Sequence, residues 1–250
     1  MENNDWHQIT DFRAPEVVAK YDVYPLMHKA LGRPAFLRFV GDVKDQSIVD
    51  LGCGSGHLCD QLQRNGASCA GIDVSTEFID IARSRYPLIN FFVANGSSMP
   101  FLASGSVDKV ILSMVVLSIP TRSELEAVFA ECARILNTRG ELILSTIHPL
   151  NMHQFKDGAR EIELPQEWNY FHHGSRFQVS VQLTDGSQMN IVNAHWTLQD
   201  ISRALAKAGF AIGQLEEPEL PANSEYFDQL KDLLIVPYYL FFRAIRTELS

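Results

Sequence analysis

The 250-residue chain reads as an α/β protein: a mostly parallel sheet with helices on both faces. Three observations predict this class. Short apolar runs at 48–51, 69–72, 89–94, 107–114 and 141–147 alternate with stretches of helical spacing, the pattern of strand–helix–strand crossovers. The first run passes directly into three alternating glycines, Gly52, Gly54 and Gly56, where a chain leaving a strand turns sharply and lets a ligand approach its backbone. The hydrophobic content of 46% suffices for one sizeable core.

Taken in order, Met1 to Lys20 is polar and mixed, and YDVYP at 21–25 leads into a helical pattern through Leu31, Phe36, Leu37 and Val40. Gly32 and Pro34 are expected to divide that helix into two pieces. Ile48, Val49 and Leu51 then form a buried parallel strand ending near Leu51. After the glycines, His57 to Arg64 carries Leu58 and Leu62 at helical spacing. Strand, glycine loop and helix N-terminus together predict a nucleotide-type site.

Which nucleotide is decided by two residues. The dinucleotide pattern GxGxxG would place its third glycine at 57, where this chain has His57. Asp50, just before the loop, would repel a pyrophosphate and favour a ligand carrying an ammonium and a sulfonium. Both points favour S-adenosylmethionine over NAD. Downstream, Cys69 to Ile72 is a second strand that delivers Asp73, 17 residues beyond Gly56, where an acid accepts both ribose hydroxyls. Ser75 is the expected N-cap of a helix through Phe78, Ile79 and Ala82. Ile89 to Ala94 is the third strand and brings Asn95 and Gly96 to the same edge; Val107 to Met114 is the fourth.

Thr121 and Glu124 read as a capping box before a helix carrying Leu125, Val128, Phe129, Cys132, Ile135 and Leu136. Gly140 stands just past its end, and Glu141 to Ile147 is the fifth strand, leaving at His148 and Pro149. Phe177, Val179, Val181 and Leu183 alternate, an Asp185-Gly186 turn follows, and Met189 to Ala194 returns, a β-hairpin. Thr197, with Asp200 as box partner, caps a helix through Leu198, Ile201, Leu205 and Ala208 that ends at Gly209. Phe210 to Leu215 and Val236 to Ile245 are the last two strands.

In VDLGCGSG at 49–56, GIDVS at 71–75, NGSSMPF at 95–101, VDKVILS at 107–113 and RILNTRGELILS at 134–145, the sequence resembles the class I S-adenosylmethionine-dependent methyltransferases. It is most similar to the small-molecule group often called type 11. The resemblance covers residues 20 to 147 closely and the rest loosely. It implies a Rossmann-like, seven-stranded sheet whose last strand is antiparallel. It also implies an N-terminal segment closing over the cofactor, with Tyr21 or Tyr24 at its methionine end. The implied cofactor site is Tyr21, Asp50, Gly52, Cys53, Gly54, Asp73, Val74, Asn95, Gly96 and Ser113. Family members usually carry Asp where this chain has Asn95; its amide oxygen still offers an acceptor to the adenine amino group. Cys53 also has a plain packing role open to it.

The whole chain is expected to be one domain: a helical cap over 1–45, a cofactor core over 46–147, a substrate-side insertion over 148–196, and a C-terminal helix and strands over 197–250. A net charge of −9 with no basic run argues against a nucleic-acid partner held through phosphates. No apolar run reaches membrane-spanning length, and four cysteines without CxxC spacing, with no leader-like N-terminus, point to the cytoplasm. No HxH or HExxH spacing suggests a metal. The expected partner is a small-molecule methyl acceptor, lined by EWNYFHHG at 167–174 unless those aromatics only pack the hairpin to the core. SMVVLSIP after the fourth strand lacks the [DN]PP[YFW] element of nucleobase amine methylation. His148 and His195, where the insertion leaves and rejoins the core, are the candidate catalytic bases, both expected to face the cofactor's mouth. A nicotinamide-dependent oxidoreductase and a non-catalytic cofactor-binding regulator are the alternative readings.

Overall fold

The computed structural model of the protein describes residues 8–22, 25–150, 156–157, 160–231 and 236–247. Strands β1 (Ser47–Leu51), β2 (Ser68–Asp73), β3 (Asn90–Val93), β4 (Val107–Ser113) and β5 (Leu136–Ile147) come first. The insertion carries β6 (Lys156–Asp157), β7 (Arg160–Glu163), β8 (Arg176–Gln182) and β9 (Gln188–Ala194), and the chain ends on β10 (Phe210–Glu216) and β11 (Tyr239–Arg246). The central sheet has the order β10-β11-β5-β4-β1-β2-β3, with β6 to β9 forming a second, antiparallel sheet. β1 is flanked in parallel by β2 and β4, so Asp50 stands between Gly71 and Ile111. β11 runs antiparallel to both neighbours, Phe242 meeting Leu144 on β5 and Leu215 on β10.

Side chains alternate across the sheet with period two, which divides the core into two layers. Ile48, Ile111, Ile143 and Phe241 face one layer, filled by Phe36 and Phe39 of helix α2 (Arg33–Val40) and Leu58 and Leu62 of α3 (His57–Arg64). Val49, Val110, Leu142, Leu144 and Phe242 face the other, filled by Leu125 and Phe129 of α5 (Arg122–Ile135) and Ile201 and Leu205 of α6 (Leu198–Lys207). Helices thus cover both faces, as the strand–helix alternation predicts. Helix α4 (Thr76–Arg85) packs beside β2 and β3, its Phe78 N–H donating to the Ser75 Oγ (3.2 Å).

Several elements depart from the sequence reading. Helix α1 (Pro15–Tyr21) forms inside the stretch read as polar; Pro15 opens it and Val18 is its buried residue. Gly32 does not break the cap helix. It stays helical at φ −57° in a π-turn over His28–Gly32 that runs straight into α2, and the position requires glycine for another reason: a Cβ there would lie 2.6 Å from His28 Nδ1 and 2.8 Å from the Tyr239 ring. It is a notch for packing. β5 begins at Leu136, which pairs with Val107 before Glu141 meets Lys109; residues 137–140 bulge out opposite Asp108, whose carboxylate accepts from Asn137 Nδ2 (2.7 Å). At α5 the Glu124 carboxylate accepts from the Thr121 hydroxyl (2.7 Å), so the box is only half made. Helix α7 (Phe227–Leu230) was not anticipated, and Tyr24 and residues 232–235 of the last apolar run lie outside the described residues.

Three ties close to α1 join the cap to the rest. Thr10 exchanges bonds with Val192 on β9, its N–H donating to the carbonyl (3.0 Å) and its Oγ1 accepting from the Val192 N–H (2.7 Å). Pro25 forms a β-bridge with Leu183. Asp22, just after α1, accepts two bonds from Arg85 of α4 (2.9 and 3.0 Å).

Helix α6 has the complete box expected of it: Thr197 Oγ1 accepts from the Asp200 N–H (3.1 Å) and Asp200 Oδ2 from the Thr197 N–H (3.1 Å). Asp200 also accepts from His173 (2.6 Å) and Arg122 (2.5 Å), joining the insertion to α5 and α6. Thr197→Ala should therefore cost about 1–2 kcal/mol. It should appear as a lower urea midpoint with an unchanged m-value.

Candidate active site

The site is assembled at the C-terminal ends of β1, β2, β3 and β4. Where β1 ends, Gly52 takes φ +76°, and a Cβ on it would sit 2.3 Å from Val115 Cγ2, so only glycine fits the turn. The Gly52 and Cys53 N–H groups both donate to the Ile72 carbonyl (2.7 and 3.0 Å), fixing the loop against β2. Gly54, at φ +51°, has nothing within 4 Å of an added Cβ: here the backbone faces open space.

Asp73 sits at the end of β2 and is the charge around which the loop closes. Its Oδ2 accepts from the Gly54 N–H (2.9 Å) and its Oδ1 from the Ser75 N–H (3.0 Å). A carboxylate offers about four lone-pair positions, so roughly two are left for a vicinal diol. Burial raises the Asp73 pKa, against the backbone N–H bonds from Ser75, Gly54 and Val74, which lower it.

Above this carboxylate lies a cavity of about 280 Å³. Tyr21, Gly52, Gly54, Asp73, Val74, Asn95, Gly96 and Ser113, all named from the sequence, line it. So do Phe12, Leu51, Phe78, Met114, Ser118 and Glu124, which the sequence reading missed. Phe12 belongs to the segment passed over as polar, although Pro15 followed by Val17, Val18 and Tyr21 was a helix signal in plain view. Met114 and Ser118 lie in SMVVLSIP, read only for a motif it lacks. In this cavity Asp73 keeps unused lone pairs, the Gly52 to Gly54 backbone leaves room for close approach, and Phe12 and Tyr21 stack edge to face (5.1 Å).

Asn95 is placed as expected but bonded differently. Its Oδ1 accepts from the Ser97 N–H (3.0 Å) and Oγ (3.1 Å), and the backbone donor fixes which amide atom is the oxygen. The oxygen offered to adenine is thus already engaged in a turn.

Four of the residues that the sequence places at the site do not line the cavity. Asp50 is 1% exposed and points under α3, where Oδ2 accepts from the Cys59 thiol (3.4 Å) and Oδ1 has no hydrogen-bond partner among the described residues. Burial pushes it up to about pKa 6, against the opposing influence of Arg33 and Cys59. Cys53 is also buried, and an added Cβ at Gly71 would come within 2.8 Å of its sulfur, which is the packing role. The His148 N–H donates to the Tyr238 carbonyl (2.8 Å), its Nδ1 accepts from the Leu150 N–H (3.1 Å), and its Nε2 meets Glu217 (2.8 Å). His195 is buried with Nε2 donating to the Tyr170 carbonyl (2.8 Å), its ring edge-on to Trp168 (5.2 Å) and Tyr170 (5.4 Å). The aromatics of 167–174 therefore pack around His195 rather than around the cavity.

Two outcomes follow from these carboxylates. Asp73→Ala should weaken S-adenosylhomocysteine binding by about 1–3 kcal/mol, since it strands the Gly54 N–H as well as the ligand's hydroxyls. Calorimetry that returned the wild-type affinity would remove Asp73 from the site. Asp50 stabilises the fold only while protonated: with its folded pKa raised from 3.8 to about 6, that contribution is complete below pH 3.8 and lost as pH rises through 6. Between pH 4 and 7 the stability of Asp50→Asn relative to the parent should rise by roughly 2 kcal/mol. Urea titrations at both pH values measure this difference.

Residues 48–140 match the model of a family described as Methyltransferase domain. An uncharacterized protein of Haemophilus influenzae is 24% identical over 255 residues, covering 93% of this chain and 94% of that one. The biotin biosynthesis bifunctional protein BioHC of Saccharophagus degradans is 30% identical over 123 residues, 48% of this chain and 21% of the relative. A ubiquinone biosynthesis O-methyltransferase of Xanthomonas oryzae is 28% identical over 111 residues, 43% of this chain and 45% of the relative. The chain thus spans less than half the length of these last two curated relatives. An S-adenosylmethionine-dependent methyltransferase from Mesorhizobium loti shares the fold, with TM-score 0.62 and 23% identity over 85% of this chain and 96% of that one. The matched segment is the one that builds the glycine loop and the Asp73 cradle, and over that segment the chain is similar to methyltransferase domains.

Proposed function

We propose that the protein transfers a methyl group from S-adenosylmethionine to an oxygen, nitrogen or carbon atom of a small, aromatic or hydrophobic metabolite. The observation that carries the reading is the Asp73 carboxylate, held by Gly54 and Ser75 with oxygens left for a ribose. The sulfonium supplies an already activated methyl, so the chain's own residues have to bind, orient and exclude water. Asp73 and the Gly52 to Gly54 backbone would hold the nucleoside, with Asn95 and Gly96 beside the base. Phe12 and Tyr21 would close the entrance. A relative named for ubiquinone biosynthesis O-methylation supports a small-molecule acceptor, and the net charge of −9 speaks against a nucleic acid. A nicotinamide oxidoreductase is disfavoured by His57, which opens α3 in place of the third glycine and bonds to Tyr86 (2.8 Å).

In this reading His148 and His195 brace the insertion against the core, since their ring nitrogens are bonded to Leu150, Glu217 and Tyr170. Methyl transfer from labelled donor to a metabolite extract, blocked by S-adenosylhomocysteine, tests the activity. His148→Gln should leave turnover within about tenfold, whereas removing a true general base costs roughly 10²–10⁴. A loss in that larger range, with cofactor affinity intact, would restore His148 as the base.

A further inference from the structure

A second cavity, of about 50 Å³, adjoins the first. Phe12, Tyr21, Met114 and Ser118 line both, so these four frame the opening between them. Three separate parts of the fold wall the second cavity: Pro25 and His28 from the cap, Val179, Val181, Ile191 and Asn193 from the second sheet, and Ile147, Tyr238 and Tyr239 from the ends of β5 and β11. The insertion reaches the cofactor's neighbourhood here, through the inner face of its hairpin rather than through its histidines.

The wall is uncharged. Among the described residues no Asp, Glu, Lys or Arg lines this cavity, in contrast to Asp73 and Glu124 in the first. His28 and Tyr21, which line it, stay neutral around pH 7. Burial, with the Arg33 charge nearby, drives His28 down to about 3, and burial drives the Tyr21 phenol up to about 12. Polar groups are few: Ser118, Asn193 and the tyrosine hydroxyls. Moving an ion from water into such a site without an opposite charge costs far more than moving a neutral molecule of the same size.

The opening is also fixed in place. Met114 has φ +65°, a left-handed conformation unfavourable for a side chain of this kind, and its N–H donates to both the carbonyl and the hydroxyl of Ser145 (3.1 Å each). Those bonds hold a strained residue at the point where the two cavities meet. We propose that the second cavity is the acceptor site and that it selects an uncharged acceptor, an apolar or aromatic molecule presenting one neutral hydroxyl or amine to the opening framed by Phe12, Tyr21, Met114 and Ser118. The proposal rests on the methyltransferase reading. At about 50 Å³ the closed cavity is smaller than the ~150 Å³ that admits a benzene ring, so a ring enters with outward movement of the cap at Phe12, Tyr21 and Pro25.

The experiment uses the intact protein saturated with S-adenosylhomocysteine and titrates it by calorimetry with phenol, aniline, benzoate and benzylammonium at pH 7.5. Phenol and aniline should bind at least tenfold more tightly than the two ions. Val181→Phe, which fills the cavity from the hairpin side, should abolish phenol binding and leave S-adenosylhomocysteine affinity unchanged, so that a folded variant is its own control. Tighter binding of either ion, no binding of any probe, or full phenol binding in Val181→Phe would overturn the proposal. Failure to bind S-adenosylhomocysteine in the parent protein would instead overturn the reading beneath it.

Discussion

The bond from the Gly54 N–H to the Asp73 carboxylate is the constraint on which the rest of the site depends. It joins the loop after β1 to the end of β2, and the same carboxylate accepts from Ser75 at the start of α4. A buried negative charge surrounded by backbone donors is stable in this place because the donors were orphans anyway: a tight glycine turn and a helix start both leave N–H groups without partners. The glycine loop, the second strand and the α4 N-terminus therefore satisfy one another. What remains on Asp73 after that is what a ligand sees.

The seven-stranded sheet was legible because each of its strands carries its own signal. Ile48 and Val49, or Val110 and Ile111, are apolar in succession because they face opposite layers of a doubly covered sheet, and that reads directly from the chain. Strand exits were legible for the same reason, so Gly52, Asp73, Asn95 and Ser113 fall where they were expected. Long-range placement was not. Asp50 follows two apolar residues on a strand, and nothing local says that its side chain turns toward Cys59 under α3 rather than toward the ligand. His148 and His195 flank the insertion in sequence, but the direction of a ring at a strand exit is set by partners such as Glu217 and Tyr170, which lie far along the chain or on an irregular loop. Gly32 shows the converse error. A glycine before a proline looks like a break, yet here it makes room for Tyr239, more than 200 positions away.

The cap, the second sheet and the core form a three-part clamp around the cavities. Thr10 and Pro25 fasten the cap to the second sheet, and Asp22 fastens it to α4. Arg85, which receives Asp22, also donates to His57 Nε2 (3.0 Å), at the first residue of α3. The N-terminal segment is thus anchored on the same helices whose ends surround the cofactor cavity. A cap that leaves α4 takes Tyr21 out of the cavity wall with it.

The position of β11 has a consequence for how the molecule is made. This strand, Tyr239–Arg246, lies between β5 and β10, so the two strands it separates have no direct contact in the ladder and wait for it. During synthesis, β1 to β5 can pair as they emerge, whereas the edge of β5 stays bare while about a hundred further residues, including the whole second sheet, leave the ribosome. A long apolar edge held open for that time invites pairing with other chains. Arg243 at the centre of β11, bonded to Glu141 on the neighbouring β5 (2.6 Å), places a charge pair on that late seam. Glu141, bonded to Lys109 on β4, puts a polar side chain on the waiting edge, which works against pairing with other chains before the proper strand arrives.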